Sequence, residues 1–308
     1  MPSCEIGARD LEAEIQAYVS KVSCATAALE KLYPLDTPEK VDQAIRFWSD
    51  IYGCIAFTTL DTELEEAILT HRSMSELMPE VRRATVNCEA AFEIATARRM
   101  ALARDAKEAR AILDHGPAHI FYQCFAHFEW AALLAALNGR VPDSVAILGS
   151  GALPETAIWI ADWARANGKR IHVHNVEMVQ DRLELSRQAY QALGELKDDD
   201  SQNDVRFQVG NARNTPSDLS GFDAVYFNAT VGSTVREKES ILLDVASRMR
   251  KGAHVVTRST YSLKTMAYPP ASIQSSRILA KLRPVVTLHS SGEAGKTVNA
   301  TVIVSRVV

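Results

Sequence analysis

The chain has no long apolar run, no excess of one charge and no paired cysteine motif. Each absence excludes a class of protein. No apolar stretch approaches the roughly 20 residues that cross a bilayer as a helix, so a membrane partner is not expected. Lys and Arg number 34 against 38 Asp and Glu, a net charge of −4 with no basic run, so nucleic acid is not an expected partner either. The cysteines, Cys4, Cys24, Cys54, Cys88 and Cys124, are odd in number and form no C-x-x-C pair. They read as reduced, mostly buried thiols of a cytoplasmic protein, not as a disulfide or zinc framework. Residues 1–20 read as polar and acidic, so no secretory signal is expected there. Missing too is the third glycine of the dinucleotide fingerprint G-x-G-x-x-G, since Pro154 stands in its place.

What is present reads as two domains in 308 residues, with 47% hydrophobic and 23% charged residues, as in ordinary soluble globular proteins. Residues 1–139 predict an all-helical cap. Leu11, Ile15, Tyr18 and Val22 recur at helical spacing within residues 10–32. Thr37-Pro38-Glu39 is a helix start, with a capping hydroxyl, proline at the first helical position and an acid in the first turn. Further helices are predicted over 61–78, 79–113 and 121–137. From residue 140 short apolar runs alternate with helical segments, at 145–148, 170–174, 205–209, 224–227, 254–257, 285–289 and 298–304. Strands alternating with helices predict an α/β domain built on a mostly parallel sheet. The last two runs flank a hairpin connection, so an antiparallel strand is expected at the end of the sheet. Residues 195–204 read as an acidic, solvated loop.

The most informative stretch is Val145-Ala-Ile-Leu-Gly-Ser-Gly-Ala-Leu-Pro-Glu155. A strand runs into a tight glycine turn and then a helix N-terminus. Glycine lets a ligand approach the backbone, and free N–H groups at a helix start favour anionic groups. In a doubly wound sheet ligands sit beyond the carboxyl ends of the strands. That rule collects Gly149, Ser150, Gly151 and Pro154 after the first strand and Glu177 after the second. It adds Asn211 and Ala212 after the third, Asn228, Ala229 and Thr230 after the fourth, and Arg258 after the fifth. Glu177, about 26 residues beyond the glycine turn, is placed to accept from ribose hydroxyls, and Asn211-Ala212 to lie along an adenine edge. A pocket with one such fingerprint suits an adenosine-type ligand better than a dinucleotide.

Gly149-Ser-Gly-Ala-Leu-Pro154 resembles the G-S-G-P-L-P turn of nicotianamine synthases. Asn175-Val-Glu177 is similar to that family's N-[IY]-D, residues 225–232 to V-F-L-A-A-L-V-G and residues 255–259 to V-V-x-R-S. Tyr268-Pro269 resembles the Y-P beyond it, Val298-Asn-Ala300 resembles V-N-S, and residues 121–125 are similar to Y-Y-x-N-Y. The resemblance covers roughly residues 79–304. It implies a class I Rossmann-like domain binding S-adenosylmethionine (SAM) as substrate, a helical cap, and chemistry at the aminocarboxypropyl arm of SAM instead of its methyl. Ala152, Asn228, Phe121 and Cys124 depart from the family pattern and lie where an acceptor amino acid would sit.

Attack by an amine on the γ-carbon of SAM needs in-line placement, a proton acceptor and exclusion of water. Glu89 and Glu93, spaced i,i+4 beside Val86, Ala90, Phe92 and Ala97, are the candidate acceptors. The alternative is a salt-bridged surface pair near Arg98 and Arg99. Tyr122 either orients the amine or is a satisfied core tyrosine. The Asn228 amide is a candidate holder of the amine or carboxylate. Arg258 pairs either with the SAM carboxylate or within an internal ion pair, and Tyr268 is expected to close over the arm. Phe121, Phe125 and Trp130 either face the sulfonium or form plain core. His172 and His174 alternate on a strand without a third ligand, so no metal is expected. The leading expectation is cyclisation of SAM to azetidine-2-carboxylate. Transfer of the arm to an amino acid, an ordinary methyltransferase and a SAM-binding sensor are the alternatives, with a small molecule as partner and a homodimer left open.

Overall fold

A computed structural model describes residues 10–58, 60–194, 196, 204–289 and 301–308. Six helices come first: α1 (Leu11–Glu30), α2 (Pro38–Ile55), α3 (Thr62–Thr70), α4 (Arg72–Ala101), α5 (Ala106–Asp114) and α6 (His119–Ala136). Their starts are fixed by local chemistry. Asp10, Thr37, Asp61 and Asp105 each accept a hydrogen bond from a backbone N–H of the first turn, satisfying donors that a helix leaves free. Within α1, Ile15, Val19, Val22 and Leu29 are buried on one face.

The break expected at Pro79 lies elsewhere. The chain turns at His71, whose imidazole accepts from the Ser73 N–H and caps α4, and α4 runs through Pro79 as far as Ala101. Proline at an interior position removes one helical hydrogen bond. Here Met74, Val81, Ala84 and Cys88 bury one side of the helix across that gap, and their packing outweighs the loss. The predicted 79–113 helix is therefore two, α4 and α5.

The sheet contains β1 (Ser144–Leu148), β2 (His172–Glu177), β3 (Val205–Val209), β4 (Ala224–Phe227), β5 (His254–Ser259), β6 (Leu282–His289) and β7 (Thr301–Val307). Helices α7 (Glu155–Ala166), α8 (Gln180–Ala192), α9 (Val235–Arg248) and α10 (Ser276–Leu279) connect them. The order is β3-β2-β1-β4-β5-β7-β6. β1 to β5 are parallel, and β7 inserts antiparallel between β5 and β6. β4 is buried throughout, as a central parallel strand covered on both faces should be, whereas β6 after Leu282 alternates exposed and partly buried residues as a half-solvated edge. β2 extends to Glu177, so that carboxylate ends the strand. Strand β7 begins at Thr301, while residues 298–300, the 290–297 hairpin connection and most of the 195–204 acidic loop lie outside the described residues.

Chain order reverses between β1 and β4, which opens a crevice above their carboxyl ends. The segment after β5, with Leu263, Met266, Ala267 and Tyr268, leaves the sheet and packs into the apolar core of α1–α4. The roof of the crevice is thus built from both halves of the chain. Of the described cysteines, Cys54 and Cys88 are buried but Cys24 and Cys124 are exposed. The expectation of mostly buried thiols holds for only half of them, because the latter two fall on outward helix faces.

Candidate active site

A cavity of about 1170 Å³, counting the space that opens to solvent, lies over β1 and β4. Its floor is the glycine turn. Gly149 and Gly151 both have positive φ, +75° and +74°, a region open to glycine and strained for most other residues. A Cβ on Gly149 would lie 2.6 Å from Val231 Cγ2, and one on Gly151 would overlap the Glu93 carboxylate. Both glycines are therefore required by close approach as well as by conformation.

Glu177 stands at the end of β2 with its carboxylate buried. It accepts from the Gly151 N–H at 3.1 Å and the Val179 N–H at 3.0 Å, which ties the glycine turn to the next strand. Each carboxylate oxygen has a second lone pair for a ligand hydroxyl. The Asn228 amide donates to the Gly149 carbonyl at 2.9 Å, bracing the same turn from β4. Ser150, Pro154, Ala229 and Thr230 also line the cavity.

Asn211 and Ala212 do not line it. Asn211 is exposed, and its side-chain oxygen accepts from the Arg213 N–H at 3.0 Å. The loop after β3 turns back on itself through such local bonds, which places these two residues outside the cavity lining.

The roof carries the two acids expected from the i,i+4 spacing. Both face the cavity, whereas Arg98 and Arg99 lie on the exposed side of α4, so the surface-pair alternative does not hold. Glu93 accepts from the Tyr122 hydroxyl at 2.6 Å and from the Ala152 N–H at 3.3 Å. Its carboxyl is pushed up to about 7, chiefly by burial, with the charges of Glu89 and Glu155 adding to the effect. A carboxyl so poised accepts a proton near neutral pH.

Glu89 is different. The hydroxyls of Tyr52 and Tyr268 donate to its two oxygens. Burial raises its pKa, while the two tyrosines and Lys264 oppose the rise. Tyr268 is itself buried with its hydroxyl held by Glu89, and it lines the cavity as a fixed wall.

Of the two alternatives for Arg258, the structure shows the internal ion pair and not a side chain free for the SAM carboxylate. Its guanidinium makes two bonds to Glu129, at 2.7 and 2.9 Å, and lies over the Phe125 ring with 5.0 Å to the centroid. Glu129 on α6 already neutralises it, so the internal ion pair is its role. Phe121 and Phe125 line the cavity, whereas Trp130 packs against Trp159 and Trp163 in the core between α6 and α7. His174 meets Gln208 at 2.8 Å and His172 lies 3.3 Å from Asp204.

Several cavity residues carried no sequence signal. Trp48 and Tyr52 stack at 4.2 Å on α2, in a spacing that reads as ordinary core. Lys264 is a lone lysine in a short 3₁₀ helix after β5. Glu155, which closes the glycine motif, meets His119 Nδ1 at 2.8 Å. Burial alone would lower the His119 pKa, but the hydrogen bond and charge of Glu155, with Asp114, outweigh it and raise it.

A family model described as nicotianamine synthase protein matches residues 11–307. Nicotianamine synthase 3 of Arabidopsis thaliana is 29% identical over 159 residues, 51% of this chain and 47% of that protein. Nicotianamine synthase 9 of Hordeum vulgare is 24% identical over 261 residues, 83% of this chain and 70% of that protein. The chain thus spans about half the length of the Arabidopsis relative it matches. Among solved structures, MtNAS in complex with MTA and tNA superposes with a TM-score of 0.74 at 19% identity, over 97% of this chain and 99% of that one. A glutamate-to-glutamine mutant of MtNAS in complex with S-adenosylmethionine gives 0.70 at 20% identity, over 94% and 98%. At this identity the likeness establishes the fold, and it is the α/β fold with an N-terminal helical cap expected from the sequence.

Proposed function

Since the chain belongs to the nicotianamine synthase family, we propose that it consumes SAM by directing an amine at the γ-carbon and releasing methylthioadenosine. The observation that carries this reading is the contact between Glu93 and the glycine turn. A cap-helix carboxylate with a pKa near 7 accepts from Ala152, one residue beyond the glycine pair. A proton acceptor is therefore fixed against the backbone that cradles the adenosine. Methyl transfer to an amine would need the same proton acceptor, so the choice of the γ-carbon over the methyl rests on the family.

In the proposed step the amine nitrogen forms a bond to Cγ as the Cγ–S bond breaks. The bonding pair returns to sulfur, which leaves as the neutral thioether. The nitrogen's surplus proton passes to Glu93, held by Tyr122. Glu177 holds the ribose, and the aromatic walls Trp48, Phe121 and Phe125 keep water from the reacting centre. That SAM is the ligand is supported by the MtNAS complex that holds it.

We assign the amine to a second, amino-acid-like molecule, giving 3-amino-3-carboxypropyl transfer, because the family and the MtNAS complexes with MTA and tNA favour transfer. Cyclisation to azetidine-2-carboxylate is the second reading. One observation favours it: the polar side chains of the roof are largely spent on each other, with Tyr52 and Tyr268 on Glu89 and Arg258 on Glu129. Few remain to hold an acceptor. A cytoplasmic location and a small-molecule partner belong to the same proposal, and a homodimer is compatible with it.

Incubation with SAM alone, and with SAM plus a panel of amino acids, followed by mass spectrometry, separates the readings. Methylthioadenosine formed only with an amino acid, together with the alkylated amino acid, supports transfer. Methylthioadenosine with azetidine-2-carboxylate from SAM alone supports cyclisation. S-adenosylhomocysteine as the nucleoside product would overturn both.

A further inference from the structure

Lys264 lies in a short 3₁₀ helix (Ser262–Met266) that follows β5. Its residue surface is 4% exposed, yet the side chain lines the cavity. The ammonium lies 4.6 Å from the centroid of the Phe125 ring and 5.8 Å from that of Tyr52. Among the described residues no hydrogen bond or ion pair is made to it. Burial lowers the Lys264 pKa to about 7, against the opposing charge of Glu89, and each Glu89 oxygen already accepts from one tyrosine hydroxyl.

An ammonium has three donors and no acceptor, and a buried charge is stable only when paired. Ring faces supply part of that stabilisation, but they accept no ordinary hydrogen bond. The backbone that carries Lys264 is held in place. Arg82 on α4 donates to the Thr265 carbonyl at 2.8 Å, and the Thr265 hydroxyl donates to the Ser262 carbonyl at 2.8 Å. The cation is thus presented to the cavity on a fixed support.

The other cations of the cavity are placed differently. Arg258 is committed to Glu129. Arg182 rises from α8, directly after the strand that ends in Glu177, and so belongs to the adenosine end. Lys264 stands with Glu89, Tyr52 and Phe125 at the roof.

We propose that Lys264 is the carboxylate anchor of the site, pairing its ammonium with the α-carboxylate of an amino-acid arm. That arm is either the one carried by SAM or that of an acceptor amino acid. The role rests on the SAM reading above. It gives the cavity a polar end for the arm, opposite the adenosine cradle, and sets the amine of the same arm beside Glu93.

The test is calorimetric titration of K264M and K264R with SAM and with methylthioadenosine, which has the same nucleoside without the arm. Steady-state KM for the acceptor is measured alongside. If SAM supplies the carboxylate, K264M loses about tenfold or more in SAM affinity, keeps methylthioadenosine affinity within about twofold, and K264R recovers most of the loss. If the acceptor supplies it, SAM affinity holds and acceptor KM rises by about tenfold or more. The proposal is overturned if neither quantity moves, or if methylthioadenosine binding falls as far as SAM binding. K264R, which keeps the charge, decides the matter should K264M fail to fold. Wild-type protein that binds SAM but never releases methylthioadenosine overturns the proposed reaction and leaves the Lys264 comparison standing. Wild-type protein that binds neither nucleoside overturns both.

Discussion

Replacing Glu93 with glutamine separates catalysis from stability at one atom pair. The substitution keeps an acceptor for the Tyr122 hydroxyl and a group of the same size beside Ala152, but it removes the base. General-base catalysis contributes about 10²–10⁴-fold, so kcat should fall by that range while SAM affinity changes little. The same substitution should stabilise the fold at alkaline pH. The folded Glu93 carboxyl sits at about 7 against an ordinary 4.5, raised first by burial. Between these values the folded protein binds more protons than the unfolded chain, so stability falls as pH rises through that window. The full shift from 4.5 to about 7 corresponds to about 3 kcal/mol at pH 8. Glutamine removes that cost but, with one oxygen in place of two, accepts from only one of Tyr122 and Ala152, so a net gain of about 1–2 kcal/mol is expected at pH 8. The gain should shrink towards zero near pH 4.5, where the carboxyl is protonated in the folded protein. Thermal unfolding of both proteins across pH 4.5–8.5 measures this difference, and single-turnover release of methylthioadenosine measures the chemistry. A stability gap independent of pH, or a kcat within about threefold of wild type, would refute the assignment of Glu93 as a buried base.

Two other substitutions probe the frame. Gly151→Ala forces a methyl into the Glu93 carboxylate at a φ of +74°. Calorimetry should show SAM binding weakened by about tenfold or more, and unchanged affinity would mean that the turn is not the cradle. Arg258→Met leaves the Glu129 carboxylate buried and alone, so it should cost about 3–5 kcal/mol in chemical denaturation. Adding Glu129→Gln should return a substantial part of it. If the double variant is no more stable than the single one, the pair is not the source of the loss.

The legible parts of this protein are those written within one turn or one strand. Caps such as Thr37, the glycine turn and the buried run of β4 each act over a few residues, and their periods survive in any single sequence. The Glu89–Glu93 spacing is of the same kind, since i,i+4 alone puts two side chains on one helical face. The break at His71 was hidden because proline at 79 is the stronger local signal, and only the packing of Met74 and Val81 overrode it.

What the sequence by itself determined is the helical cap, the alternating α/β half and the glycine turn after β1. Tertiary structure alone decided how the roof side chains are spent. Glu129 meets Arg258, and Glu89 meets Tyr268 from the far end of the chain. It likewise exposed Asn211, buried Lys264 under two aromatic rings, and set Glu93 against Ala152. Charge pairing and desolvation depend on what lies within a few ångströms in space. Partners separated by 59 to 179 positions leave no periodic trace in the chain that brings them together.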